Sequence, residues 1–79
     1  MNNIEEWVSG HDASLEDIAR DAHLPTRLVH LAAVLVLEGL PDHEIYNLLR
    51  ELIGSMDGQH NPLEGARGAL EQIRLLAAS

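Results

Sequence analysis

The segment LPTRLVHLAAVLVLEGL, residues 24–40, reads as one helix that is apolar on nearly every side. A helix on the surface of a small domain normally carries a single apolar stripe. A chain of 79 residues has too little material to surround such a helix, because domains of this size bury only about 60% of the surface their unfolded chains expose. The excess apolar surface therefore predicts contact with a second copy of the chain or with another protein.

One domain, residues 1–79, is all that this length supports. Hydrophobic residues make up 46% of the chain, yet Phe is absent and Trp and Tyr occur once each. A core built from Leu, Ile, Val and Ala, with only three prolines, favours helices over a sandwich or barrel. Cysteine is absent, which excludes disulfides, thiolate zinc sites and a cysteine nucleophile, and fits a reducing compartment. The opening residues do not have the basic-then-apolar form of a signal peptide, and no apolar run approaches the roughly 18 residues of a membrane span. A cytoplasmic protein without membrane contact is the expectation. Thirteen acids against five arginines give a net charge of −8, which repels nucleic acid and anionic membranes and suits a basic partner.

The apolar spacing predicts an all-α bundle of four main helices plus a short N-terminal one. The short helix covers 3–9, with Asn2 or Asn3 as cap, Trp7 docking on the body and Gly10 as the stop. Ser14 is read as the cap of a second helix, whose face is Leu15, Ile18, Ala19 and Ala22. Pro25 ends that helix and suits the first turn of the next, over 25–38, which Gly39 closes. A helix over 42–53 follows, with the stripe Ile45, Leu48, Leu49, Leu52 and Ile53. After a polar loop at 54–60, Asn61-Pro62-Leu63-Glu64 marks the start of a last helix over 62–77. Its face is Leu63, Ala66, Leu70, Ile73 and Leu76, widened by Ala69 and Ala77. Gly65 and Gly68, three apart, weaken it by up to about 1 kcal/mol each relative to Ala, and their small size lets another helix approach closely.

Ser14 to Leu40 resembles a helix-turn-helix, closest to the winged-helix version of bacterial regulators. Leu15-Glu16-Asp17-Ile18-Ala19 looks like the first helix. Ala19, His23 and Val29 stand at the family's small, turn and second-helix core positions, and Leu24-Pro25-Thr26-Arg27 looks like the start of a recognition helix. The resemblance implies a helix pair and, as one function, a dimeric DNA-binding regulator that contacts bases through Thr26, Arg27 and His30. Three features depart from it. His23 replaces the usual turn glycine, which accepts positive φ at little cost. Another helix, not a wing hairpin, follows Leu40. If Val29, Ala32, Ala33 and Val36 are the buried side, the outward positions are Arg27, Leu28, His30, Leu31, Val34 and Leu35. Leu and Val dominate that set and cannot hydrogen-bond to base edges.

Other constellations carry less chemistry. His11, His23, His30, His43 and His60 are scattered, with no HExxH or comparable spacing, so no metal is expected. Asp57 to Asn61 lacks the oxygen ligands of a calcium loop. Asp12-Ala13-Ser14-Leu15 resembles the Asp-Ser-Leu site of acyl carrier proteins, but an Ala intervenes and the preceding residues are too few for that fold's long first helix. No nucleophile, base and orienting residue stand together, and no phosphate-binding loop is present, so neither catalysis, a cofactor nor a small-molecule ligand is expected. The sequence thus predicts a small acidic adaptor, inhibitor or anti-regulator that forms a homodimer and binds a protein partner. Its interface is predicted at Leu28, His30, Leu31, Val34 and Leu35. The profile is similar to that of small acidic phage and plasmid proteins that disable host regulators or nucleases. An acidic DNA mimic acting on a nuclease ranks below the DNA-binding alternative, because the acids are spread over every predicted helix instead of forming a rail.

Overall fold

The computed structural model describes residues 3–54 and 62–78. Five helices follow one another: α1 (Ile4–Gly10), α2 (Asp12–Ala22), α3 (Thr26–Leu37), α4 (Asp42–Gly54) and α5 (Pro62–Ala78). No strand occurs among the described residues. α3 and α5 are the hubs of the packing. α3 touches all four other helices, and α5 packs on α2, α3 and α4.

Helix ends follow local chemistry, with two departures from the sequence reading. Gly10 does not stop α1, and Ser14 does not cap α2. Instead His11 serves as the end of one helix and the start of the other. Its backbone N–H donates to the carbonyls of Trp7 and Val8 (3.0 and 3.2 Å). Its Nδ1–H reaches the Trp7 carbonyl at 2.8 Å, and its ring stacks on Trp7 with centroids 4.2 Å apart. These contacts accompany a junction of a single residue between the two helices. Trp7 is half-buried and packs against the core, as expected of a lid.

α2 and α3 end in the same way. The Leu24 N–H reaches back to the Ala19 carbonyl and the His23 N–H to that of Arg20. At the end of α3, Leu40 bonds to Leu35 and Gly39 to Val36 in the same pattern. This pair of hydrogen bonds closes a helix only if the residue after its last turn adopts left-handed angles. His23 has φ 56° and Gly39 φ 91°. For His23, left-handed angles are less favourable by about 1–2 kcal/mol. Pro25, extended with ψ 137°, stands just before α3, not within it, and its carbonyl accepts the N–H groups of Leu28 and Val29.

The core holds Leu15 and Ala19 of α2, Leu24, Leu28, Val29, Ala32, Ala33 and Val36 around α3, Ile45, Leu49 and Ile53 of α4, and Ala66, Ala69, Leu70 and Ile73 of α5. The predicted inward set of α3 is therefore inside. Leu28 is inside with it, 7% exposed, which corrects its assignment to the outward face. It lies on the α3 line that continues to Ala32, one turn on, and the inward arc is wide enough to include both. On α4 the correction runs the other way. Ile45, Leu49 and Ile53 follow a single i, i+4 line into the core, whereas Leu48 and Leu52 are each 41% exposed. The predicted stripe is wider than the arc that α3 and α5 cover.

Gly65 is where α2 comes closest to α5. A Cβ added there would fall well inside van der Waals distance of the Ala22 carbonyl oxygen, whereas one added at Gly68 would meet open space. The expected close approach thus belongs to Gly65 alone. Asn61, the side chain of Leu63 and residues 55–60 of the predicted loop lie outside the described residues.

Candidate functional site

The predicted interface residues separate once the helices are packed. Leu28 belongs to the core. Leu35 is half-buried and packs against the core. Leu31 is 37% exposed, and Val34 is half-buried beside it. Helical spacing puts Arg27, Leu31, Val34 and Leu35 on one outward stripe. His30 lies one step round from Leu31. Its Nε2 is buried and stands 2.8 Å from Asp12 Oδ1, at ion-pair distance but without hydrogen-bond alignment. His30 thus ties α3 to the start of α2.

α4 extends the stripe in a way the sequence did not reveal. Among the described helices α4 packs on α3 and α5. Its α5 side is marked by two polar contacts. The Arg67 guanidinium lies over the Tyr46 ring, 5.1 Å from its centroid, and Arg74 Nε donates to Asp42 Oδ1 at 2.5 Å. Arg74 Nη2 also donates to the Leu40 carbonyl at 2.7 Å, so one guanidinium pins the α3–α4 connection to α5. Leu48 follows Tyr46 by two residues, a rotation of about 200° around the helix. Leu48 and Leu52 are therefore on the flank turned towards α3. Leu31, Val34 and Leu35 on α3 and Leu48 and Leu52 on α4 thus stand on two helices that pack together, and Leu40 and Leu48 line a shallow depression with Glu44, Asn47, Arg50 and Glu51. Charged side chains of both signs are exposed on these two helices, Arg27 on α3 and Glu44, Arg50 and Glu51 on α4.

A second surface is built by a different pair of helices. α2 and α5 border an open groove of about 830 Å³. Ile18, Ala22, Ala69 and Leu76 form its apolar lining, together with Leu75, which is 62% exposed. Asp17, Asp21 and Glu64 stand along it.

Of the residues predicted for DNA contact, Thr26 is half-buried, Arg27 is exposed and His30 is held by Asp12. No cluster of three or more His, Asp and Glu side chains that could hold a metal ion occurs among the described residues, and no helix among them is long and apolar enough to cross a membrane. No protein family, curated protein or solved structure gives a significant match to the chain.

Proposed function

We propose that this chain is a small acidic protein-binding module, acting as an adaptor or inhibitor without catalysis, and that it pairs with a second copy of itself through the α3–α4 face. The observation that carries this reading is the exposure of Leu31, Leu48 and Leu52, at 37–41%, on two helices that pack together. Burying a whole leucine is worth about 1.5–3 kcal/mol, so each of these contributes on the order of 1 kcal/mol. A two-fold axis counts every contribution twice. A dimer contact of standard size covers about 800 Å² on each partner, which extends past the leucines to the charged side chains of both helices. Those charges support self-pairing, because a two-fold axis lets Arg27 of one copy approach Glu44 or Glu51 of the other.

Sedimentation of the wild type, Leu31→Asp and Leu48→Asp tests the proposal. The wild type is expected at twice the protomer mass, and each variant at the protomer mass with unchanged helicity. A wild type that stays monomeric at millimolar concentration, or variants that keep the double mass, would refute self-pairing.

The left-handed turn at His23 supports the helix-turn-helix reading of the α2–α3 pair. On that reading, Thr26, Arg27 and His30 are the set directed at DNA. A salt series with random duplex separates the two functions. DNA binding gives a falling line of log affinity against log salt, whereas a protein-binding module gives no measurable affinity.

A further inference from the structure

We infer that the α2–α5 groove is a docking site for a basic amphipathic helix of another protein. This rests on reading the chain as a protein-binding module but not on the α3–α4 face.

The groove's charge is set by where α5 sends its arginines. Arg67 and Arg74 both lie on its α4 side, over Tyr46 and against Asp42. The described residues that line the groove therefore include Asp17, Asp21 and Glu64 and no cation. Arg20 reaches Asp17 from outside the groove at 3.2 Å, and both side chains are largely exposed, so this pair neutralises Asp17 only in part. No ion pair to Asp21 or Glu64 occurs among the described residues. A single-sign border selects the opposite sign and raises its rate of encounter.

The shape selects a helix. Two packed helices leave a furrow into which the ridge of a third fits. At Gly68 an added Cβ would meet nothing within 4 Å, so a ridge can come close to the α5 backbone there. Ile18, Ala69, Leu75 and Leu76 supply apolar contact on both walls. From Glu64 to Leu76 the lining runs about 18 Å along α5, the length of a partner helix of three to four turns. The same groove of a second copy fits poorly, because a border of one sign does not complement itself.

The test uses a synthetic amphipathic peptide of about fourteen residues, with Leu and Ala along one face and Lys elsewhere, followed by fluorescence anisotropy against the full chain. A matched peptide carries Glu in place of Lys. The Lys peptide is expected to bind, with affinity falling as salt rises, and the Glu peptide to bind at least tenfold more weakly. Gly68→Leu fills the furrow and is expected to lower affinity at least tenfold with unchanged helicity. Asp17→Asn, Asp21→Asn and Glu64→Gln together flatten the salt dependence. Leu31→Asp leaves peptide binding intact, so loss of self-pairing and loss of docking are read separately. Amide shift mapping on the wild type is expected to place the peptide at Ile18, Ala22, Gly68 and Leu75, and it decides the matter if Gly68→Leu fails to fold. Equal binding of the two peptides, wild-type affinity in Gly68→Leu, or shifts confined to α3 and α4 would each overturn the inference.

Discussion

The α3–α4 face and the α2–α5 groove both pair apolar surface with charge, and they differ in the sign of that charge. Arg27, Glu44 and Glu51 give the first both signs, which suits a surface that meets itself. Asp17, Asp21 and Glu64 give the second one sign, which suits a cationic partner. The difference arises from two arginines. Arg67 and Arg74 are spent on Tyr46, Asp42 and the Leu40 carbonyl, and the far side of α5 is left to carboxylates. A modest count of cations can therefore shape two surfaces, one by presence and the other by absence.

The largest expected effect sharpens the line between core and face on α3. Leu28→Ala should lose about 2–5 kcal/mol of stability. Leu31→Ala, three residues on, should lose less than about 1 kcal/mol in dilute protein, where it acts mainly on self-pairing. Urea denaturation below the dimer concentration measures both. Equal losses would mean that α3 is rotated from the orientation described here.

An intermediate effect separates the two glycines of the groove. Gly65→Ala forces a Cβ against the Ala22 backbone and should lose about 1–3 kcal/mol. Gly68→Ala enters open space and should gain up to about 1 kcal/mol from helix propensity. Thermal denaturation of the pair reads the contrast directly. A loss at Gly68 as large as that at Gly65 would close the groove.

The smallest effect concerns its border. Arg20→Ala removes an exposed pair and should change stability by less than about 0.5 kcal/mol. It should nonetheless strengthen binding of the Lys peptide severalfold, because Asp17 is then left to the groove. Unchanged affinity in that variant would remove Asp17 from the set that recognises cations.

Much of the architecture was legible in the sequence. Helix positions followed from apolar spacing, Pro25, Gly39 and Pro62, and the inward set Val29, Ala32, Ala33 and Val36 was read correctly. The left-handed angles at His23 belong to the closure of α2 by the N–H groups of His23 and Leu24. Ser14 misled because a serine before an apolar run has the chemistry of a cap, whereas stacking and hydrogen bonding at His11 start α2 earlier. Leu28 misled because α3 is apolar all round, so its own pattern does not fix which flank turns inward.

The sequence by itself determined that the chain is helical and where its helices lie. Those properties depend on local spacing, backbone preference and composition, all carried by near neighbours along the chain. Only the tertiary structure decided that Leu28 goes in while Leu31, Leu48 and Leu52 stay out, and that both arginines of α5 turn towards α4. Rotation of a helix about its axis is set by the neighbours that cover it, and here those neighbours come from distant parts of the chain.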